Sequence, residues 1–205
     1  VHRHHEDVRR VPHRGHGGEV TLLLPEPLRD SVLERLGFST PPAADLNGLR
    51  AVYGRWSQRV PFDNLRKMVA LRAADVRPMP GLPASDFFAA WLADGCGGTC
   101  WPTSNALWSL LVDLGFDARR VAGSMRDIGV VGHGTVIVTI DQGEWLVDSS
   151  LLTLEPIPLD RTPAVVGDPL VPVEVERDGE LVVWFDALPS AEDRKSTRLN
   201  SSHVA

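Results

Sequence analysis

The sequence predicts an α+β fold in which helices come first and an antiparallel sheet follows. Apolar residues recur at helical spacing up to about residue 114, and beyond it the spacing shortens toward the alternation of strands. The strand-like segments are joined by short turns, which is typical of antiparallel pairing. With 205 residues and 43% apolar content, the chain can bury a substantial core in one domain or two small ones.

Four helices are predicted from periodicity and from their end signals. They cover about 28–36, 45–58, 85–92 and 100–114, with a turn at 62–65. Gly37 and Gly115 end the first and the last helix, and Pro61 ends the second because proline disfavours helix in the residue before it. Ser85 is the expected cap of the third helix. Pro102 fits the first turn of the fourth helix, where no backbone donor is needed.

Five strands are predicted after the last helix. They cover about 120–122, 135–140, 144–148, 170–176 and 180–185. Asp141-Gln142-Gly143 is the expected turn between the second and third strands, with the hairpin symmetric about Gln142-Gly143. Asp178-Gly179 joins the last two strands in the same way. The expected organisation is therefore a helical domain over 19–115 and an antiparallel β domain over 116–190.

Both ends of the chain differ in composition from the middle. Residues 1–18 hold five histidines among arginines and glycines, in a spacing that matches no familiar ligand pattern, so we expect a disordered or non-native leader rather than a metal site. Residues 191–205 lack apolar periodicity and resemble the translation of a sequencing adapter. We therefore expect an artefactual tail there, with a native polar tail as the alternative.

Charge and composition exclude several classes of partner. The net charge is −6 and no basic face is concentrated, which argues against nucleic acid. No run of eighteen apolar residues and no signal-like stretch is present, so we expect a cytoplasmic protein outside the membrane. Two cysteines are too few for a disulfide framework or a four-thiolate zinc site, and we expect no metal.

Cys100 is the candidate nucleophile. It lies at the start of the fourth predicted helix, where unsatisfied amides and the helix dipole stabilise a thiolate. Gly97-Gly98 precedes it and permits close approach of a substrate, and nearby amides could stabilise an oxyanion. A buried, unreactive cysteine is the alternative for this residue taken alone.

His133 and Asp148 are the candidate partners of Cys100. A nucleophilic cysteine needs a base, and the base needs a group that fixes its tautomer. His133 is the only histidine outside the two ends, and it heads a predicted strand. Asp148 ends the next strand, so the hairpin would bring the two side chains together. The sequence therefore predicts a Cys-His-Asp triad, although a strand end and a turn former remain alternatives for the two residues separately.

Three further residues carry weaker hypotheses. Cys96 could resolve an oxidised state of Cys100, but a small loop residue is the simpler interpretation. Phe62 is expected in the core, with substrate contact as the alternative. Asn105, one turn into the cysteine helix, either supports the active-site backbone and substrate or is a neutral surface residue.

These residues resemble the arylamine N-acetyltransferase family, within the transglutaminase-like, papain-type superfamily. The segment 60–65, Val-Pro-Phe-Asp-Asn-Leu, resembles the family's I-P-F-E-N-L, and 97–100, Gly-Gly-Thr-Cys, resembles its R-G-G-x-C signature. His133 and Asp148 match the partners of that cysteine. The similarity runs from about residue 28 to 190, and the stretch 110–123 fits the wider superfamily.

The resemblance implies a helical first domain, a β-barrel second domain and an α/β third domain that is mostly missing here. It implies transfer of an acetyl group from acetyl-CoA through Cys100 to a small-molecule amine. The family's arginine four residues before the nucleophile is Cys96 here, its Phe-Glu after the nucleophile is Trp101-Pro102, and its asparagine comes one residue later, as Asn105. Where the family has a glycine-rich loop after the aspartate, this chain has 149–152, Ser-Ser-Leu-Leu. An amide synthase or thiol hydrolase with the same triad, or an inactive scaffold, are the alternatives.

Overall fold

The structure is a computed structural model that describes residues 24–73, 79–124 and 131–160 in full, together with the backbone of Met125 and of four strands beyond residue 160. The five helices are α1 (Glu26–Leu36), α2 (Leu46–Arg59), α3 (Leu65–Arg72), α4 (Ala84–Asp94) and α5 (Cys100–Asp113). The eight strands are β1 (Asp117–Met125), β2 (Val131–Ile140), β3 (Gly143–Val147), β4 (Ile157–Pro158), β5 (Ala164–Val166), β6 (Val173–Asp178), β7 (Glu180–Asp186) and β8 (Arg194–Leu199). The predicted order, helices before an antiparallel sheet, is confirmed.

The helix ends follow the expected signals with one exception. Gly37 ends α1 in the left-handed conformation at φ 88°, and Gly115 follows α5 in the same conformation. Asp45 caps α2 by accepting a hydrogen bond from the Gly48 amide at 2.7 Å. The prediction that Ser85 caps the helix after the proline-rich loop is wrong, because the N-cap of α4 is Pro83, two residues earlier, whose fixed φ of −65° suits a helix start.

The helix α3 is absent from the sequence-based prediction, which placed only a turn at 62–65. None of its side chains is buried, although Leu65, Met68 and Val69 stand at helical spacing in the sequence. Its apolar residues instead face outward, with Val69 67% exposed and Leu65 58% exposed.

All eight strands form one sheet in the order β4-β3-β2-β1-β8-β7-β6-β5. Every pairing is antiparallel. The strand β8 lies between β1 and β7, within the residues that composition sets apart as an artefactual tail, and the origin of that tail stays a prediction. Three strands were not predicted, namely the short strands β4 and β5 and the six-residue strand β8.

The turn between β2 and β3 is shorter than expected. Ile140 pairs with Gly143, so the loop contains only Asp141 and Gln142, whose φ angles are 49° and 68°. Two positive φ values are the signature of a type I′ turn, which matches the twist of the flanking strands. The prediction of symmetry about Gln142-Gly143 is therefore wrong by one residue, and this changes which residues face each other at the far end of the hairpin.

One core joins the helices to the sheet. Trp56, Phe87 and Phe88 pack on each other with ring centroids 5.6–6.1 Å apart, and they belong to the same buried cluster as Leu107 on α5 and Val136 on β2. α5 packs directly on β1 and β2. The start of α5 is thereby held beside the open end of the β2–β3 hairpin.

Candidate active site

The loop before α5 is fixed by the segment that follows α2. Phe62 and Gly98 form an isolated parallel bridge, in which the Asp63 amide donates to the Gly98 carbonyl oxygen at 3.1 Å. The Gly97 amide in turn donates to Asp63 Oδ2 at 2.8 Å. A Cβ on Gly97 would lie 1.7 Å from the Pro61 carbonyl oxygen, so only glycine permits this approach. The two family-like segments therefore form one structural unit.

Cys100 is the first residue of α5, as predicted. Thr99 is the N-cap but makes no side-chain capping bond, so the first amides of the helix remain available near the thiol. The thiol is half-buried and unbonded to the other cysteine. Its Sγ donates a weak hydrogen bond to the Gly132 carbonyl oxygen at 3.7 Å, one residue before His133.

His133 and Asp148 lie together at the end of the hairpin. His133 Nε2 is 2.6 Å from Asp148 Oδ2, and each residue is only 1% exposed. The last ladder pair is Val136 with Val147, so one further step places Asp148 opposite Thr135. His133 is two residues beyond Thr135 on the same face of the strand, which makes it a diagonal neighbour of Asp148. The proximity of the pair is as predicted, but its register is diagonal rather than directly opposite.

Asp148 is held in its ionised form. Its Oδ1 accepts from the amides of Ser150 at 2.8 Å and Leu151 at 3.1 Å, while Oδ2 faces His133. Burial raises the pKa of Asp148, but the charge of His133 and its hydrogen bond outweigh burial and hold the pKa below the usual 3.8. Because an ionised carboxylate only accepts, Nε2 of His133 carries the proton between them.

The pKa of Cys100 is lowered and the pKa of His133 is raised, so each group favours the charged form of the other. Burial raises the pKa of Cys100, but the hydrogen bond and charge of His133 more than offset it and lower the pKa below 9.0. Burial lowers the pKa of His133, but Asp148 and Cys100 together raise it from 6.5 to about 10. Because Nε2 of His133 is hydrogen-bonded to Asp148, the buried Nδ1 is the ring nitrogen that can interact with the Cys100 thiol. The arrangement favours a thiolate beside an imidazolium.

Three hydroxyls, which we term the hydroxyl cluster, connect α5 to the His133–Asp148 pair: Thr103, Ser104 and Ser149. Ser104 Oγ donates to the Gly134 carbonyl oxygen at 2.5 Å, and Thr103 Oγ1 donates to the Thr99 carbonyl oxygen at 2.8 Å. Ser149 Oγ lies 3.0 Å from Ser104 Oγ and 2.9 Å from Thr103 Oγ1. Because each hydroxyl has one proton and Ser149 donates its own to Thr103 Oγ1, Ser149 Oγ can act toward Ser104 Oγ only as an acceptor. The three hydroxyls thereby link α5 to Ser149, the residue that follows Asp148.

The weaker sequence hypotheses have mixed outcomes. The prediction that Phe62 packs in the core is wrong, because its side chain is 45% exposed beside the nucleophile loop. Asn105 is neither a free surface residue nor bonded to the nucleophile loop, since its amide donates to the Leu82 carbonyl oxygen at 2.7 Å and its Oδ1 accepts from Arg120. Cys96 is half-buried four residues before Cys100, and its role stays a prediction.

Sequence reasoning missed the residues that support the candidate triad. Asp63, Ser104 and Ser149 are polar residues of common types, and each contacts a residue that is distant in the sequence but close in the fold. Tyr53 is a further example, because its hydroxyl donates to the Asp148 backbone oxygen at 2.8 Å from within α2. In the sequence, Ser149 gave a weak signal by standing directly after the predicted aspartate.

No helix in the described part of the chain has the length and apolar content needed to cross a bilayer. Within the same residues, no group of three or more His, Cys, Asp or Glu side chains is arranged to hold a metal ion.

The fold and the site define a class of proteins in which a cysteine at a helix start lies beside a buried His–Asp pair on an antiparallel sheet. An N-acetyltransferase family model matches residues 45–182, well over half of the chain. The chain therefore belongs to the arylamine N-acetyltransferase family.

Two relatives show the extent of the match. Proansamycin X synthase of Amycolatopsis mediterranei is 29% identical over 124 residues, which cover 58% of this chain and 46% of that protein. An arylamine N-acetyltransferase of Mycolicibacterium smegmatis is 31% identical over 147 residues, which cover 63% of this chain and 51% of that protein. The chain thus spans about half the length of the curated relatives that it matches.

A solved structure shares the fold. The arylamine N-acetyltransferase of Mycobacterium marinum, in complex with CoA, superposes with a TM-score of 0.68 at 21% identity, covering 86% of this chain and 66% of that one. The five helices and the antiparallel sheet of this chain therefore match the fold of solved arylamine N-acetyltransferases.

Proposed function

We propose that this protein is a cysteine-dependent acyltransferase that moves an acyl group from a CoA thioester, through Cys100, to a small-molecule amine. The observation that carries the proposal is the buried His133–Asp148 pair, 2.6 Å between Nε2 and Oδ2, beside a thiol whose pKa is lowered. Family membership supports acyl transfer, and the CoA complex of the M. marinum relative supports a CoA thioester as donor.

The proposed reaction has two halves. In the first, the Cys100 thiolate attacks the thioester carbonyl carbon, the carbon–sulfur bond to CoA breaks, and His133 gives its proton to the departing CoA thiolate. In the second, the amine attacks the acyl-cysteine, His133 takes the amine proton, and the Cys100 thiolate leaves. The first backbone amides of α5 lie beside Cys100 and are suited to stabilise the oxyanion in both halves.

Residues near the thiol have distinct proposed roles. Asp148 holds the ring of His133 and stabilises its charged form without itself taking a proton. Phe62 is exposed beside Gly98, where an aromatic face can contact a bound substrate. Asn105 lines a cavity next to the nucleophile helix, and its contribution to substrate binding is indirect because both ends of its amide already have partners.

A second candidate function is amide synthesis, in which the acyl group is delivered to an amine tethered within the same molecule. The similarity to proansamycin X synthase favours it, at 29% identity over 124 residues. The half-reaction at Cys100 is the same, so the two candidates differ only in the acceptor. Offering the acylated protein free amines and amino-tethered thioesters in parallel separates them.

The first half-reaction is tested by incubating the protein with acetyl-CoA and other thioesters and reading its intact mass. We expect one acyl group per chain, located on Cys100 by peptide mapping. Cys96→Ala is the matched control because it removes the other free, half-buried cysteine. We expect Cys96→Ala to acylate normally and Cys100→Ala not to acylate at all. Folded protein that takes up no acyl group from any thioester would establish the inactive-scaffold alternative.

A further inference from the structure

The turn that follows Asp148 contains two leucines in a backbone conformation that leucine rarely adopts. Leu152 has a φ angle of 50° and Leu154 has a φ angle of 66°, both in the left-handed region. Because neither residue is glycine, the Cβ atom makes this conformation costly. Such residues persist only where the surrounding structure holds them, and they cluster at functional sites. The turn over 149–154 is therefore strained and needs an anchor outside itself.

The helix α2 supplies that anchor through Tyr53 and Gly54. The Tyr53 hydroxyl donates to the Asp148 backbone oxygen at 2.8 Å and accepts from the Thr153 amide at 3.3 Å. It thus bridges the residue before the turn and the residue between the two leucines. A Cβ on Gly54 would lie 3.2 Å from the Leu154 carbonyl oxygen, so the glycine lets this carbonyl group approach the helix closely.

The anchoring hydroxyl is enclosed and keeps its proton. Tyr53 is fully buried, and burial together with the charge of Asp148 raises the pKa of Tyr53 well above its usual 10.0. A neutral phenol has one proton, and the Asp148 backbone oxygen can only accept it. Tyr53 and Asp148 are 95 positions apart in the sequence, so this hydrogen bond ties the helical part of the molecule to the end of the β2–β3 hairpin.

The same turn holds the side chain of Asp148. Asp148 Oδ1 accepts from the amides of Ser150 at 2.8 Å and Leu151 at 3.1 Å, and the Asp148 backbone oxygen also accepts from the Leu152 amide at 3.3 Å. The direction of these three amides depends on the backbone conformation of the turn. If the turn relaxed, Oδ1 would lose two charge-assisted hydrogen bonds, and Oδ2 would no longer be fixed 2.6 Å from His133 Nε2.

We propose that Tyr53 is a positioning residue for the chemistry at Cys100, because its hydroxyl holds the strained turn that fixes Asp148 against His133. Tyr53 holds the turn, the amides of the turn hold the carboxylate, and the carboxylate holds the imidazolium that stabilises the thiolate. A phenylalanine would fill the same space, so the turn, and not packing, accounts for a buried hydroxyl at this position. The use of Cys100 as a nucleophile is the one link that rests on the proposed function.

The test compares the pH dependence of Cys100 alkylation by iodoacetamide in the wild type and in Tyr53→Phe, with no acyl donor present. Tyr53→Phe keeps the aromatic ring and removes only the hydroxyl. We expect the alkylation midpoint to rise and the rate near neutral pH to fall about tenfold, since the imidazolium that favours the thiolate is less well held. Peptide mapping assigns the alkylation to Cys100 and separates it from Cys96.

Ser109→Ala is the matched control for loss of a buried hydroxyl. The Ser109 hydroxyl donates at 2.8 Å to the Asn105 carbonyl oxygen and so stays within α5. Both variants should be less stable in urea denaturation, but only Tyr53→Phe should shift the midpoint. An unshifted midpoint in folded Tyr53→Phe, or an equal shift in Ser109→Ala, would overturn the proposal.

The role of the turn is tested by removing its strain. Glycine adopts positive φ freely, and Leu154 is 43% exposed, so Leu154→Gly lets the turn keep its conformation with little loss of packing. Added to Tyr53→Phe, Leu154→Gly should return the midpoint toward that of the wild type. Leu71→Gly, at a 48% exposed leucine of α3, should not. If the two glycine variants restore the midpoint equally, or neither does, the hydroxyl does not act through the turn and the proposal is wrong.

Asp148→Asn distinguishes failure of this proposal from failure of the proposed function. A midpoint that rises in Asp148→Asn but not in Tyr53→Phe contradicts the role of Tyr53 and leaves the triad standing. A midpoint that moves in neither variant contradicts the triad itself, and the role of Tyr53 with it. A midpoint that rises in both, in a protein that accepts no acyl group from any thioester, contradicts acyl transfer alone and supports the role of Tyr53.

Discussion

The two halves of α5 differ in what their buried side chains contact. From 100 to 104 the helix presents a thiol and two hydroxyls, which meet backbone and hydroxyl groups of β2 and of the turn after β3. From 107 to 111 it presents Leu107, Leu110 and Leu111, all fully buried in the common core. The first half depends on directed polar contacts, and the second depends on the burial of apolar area, which has no preferred direction.

This difference implies that thiol reactivity and stability can be changed separately. Substitutions in and around the first half should alter the titration and reactivity of Cys100 more than the free energy of unfolding. Substitutions in the second half should do the reverse.

The largest effect is expected for Asp148→Asn. Without the Asp148 charge, burial dominates at His133 and lowers its pKa, so the imidazolium that stabilises the Cys100 thiolate is lost. Acyl transfer should fall by about 10²–10⁴-fold, the usual contribution of a positioned base. The rate of Cys100 alkylation by iodoacetamide, measured against pH, reports the thiol pKa directly.

The pKa shifts of Cys100 and His133 in the wild-type protein determine how the alkylation rate should depend on pH. Cys100 alkylation should rise with pH through a midpoint below 9.0, while His133 stays charged up to about pH 10. In Asp148→Asn the midpoint should move to higher pH. An unchanged midpoint in a folded variant would show that His133 and Asp148 do not act on the thiol.

The next largest effect is expected on stability, for Leu107→Ala. Removal of a fully buried leucine side chain should lower the free energy of unfolding by about 2–5 kcal/mol, measured by urea denaturation. The alkylation midpoint of the folded protein should not move, because Leu107 makes none of the polar contacts around Cys100. A shifted midpoint would mean that the two halves of the helix are not separable.

A smaller effect on stability is expected for Gly97→Ala. The new Cβ would lie 1.7 Å from the Pro61 carbonyl oxygen, so the nucleophile loop must move away from 61–63 at a cost of about 1–3 kcal/mol. Gly143→Ala is the matched control, since its Cβ would meet no atom closer than 3.4 Å. Equal unfolding free energies for the two variants would contradict the close approach at Gly97.

Much of the fold was predictable because its signals are local. The ends of α1 and α5 follow from glycines that adopt positive φ, and β2 and β3 follow from apolar alternation around a short turn. Cys100 and His133 were predictable because cysteine is rare in this chain and His133 is the only histidine outside its two ends, and Asp148 because it ends the strand after that of His133. The helix α3 was not predicted, although Leu65, Met68 and Val69 stand at helical spacing, because its eight residues make little more than two turns and bury no side chain.

The rest of the site could not be predicted because it depends on register and on distant contacts. A turn centred on Gln142-Gly143 would place Asp148 opposite Ile137, whereas the observed turn places it opposite Thr135 and so makes it a diagonal neighbour of His133. Ser104 and Ser149 are 45 residues apart and chemically unremarkable, and their relation appears only when α5 lies on the hairpin. The contacts of Arg120 with Asn105 and Trp108 likewise come from a different element, α5.

The smallest effect on thiol reactivity is expected for Ser104→Ala. Ser109→Ala is its matched control on the same helix, α5. Both serines are 3% exposed on the same helix. Ser104 donates to the Gly134 carbonyl oxygen on β2, whereas Ser109 donates at 2.8 Å only to the Asn105 carbonyl oxygen within α5. Of the two serines, only Ser104 therefore links the helix to the segments that hold His133 and Asp148.

Each alanine variant should lose about 1 kcal/mol of stability or less, because each loses one buried hydrogen bond. Only Ser104→Ala should also raise the alkylation midpoint of Cys100 and slow acyl transfer, by about threefold to tenfold, with KM little changed. Ser104→Thr keeps the hydroxyl and should restore the midpoint. If Ser109→Ala shifts the midpoint as much as Ser104→Ala does, the hydroxyl cluster only stabilises the fold, and the thiol is positioned by the packing of α5 as a whole.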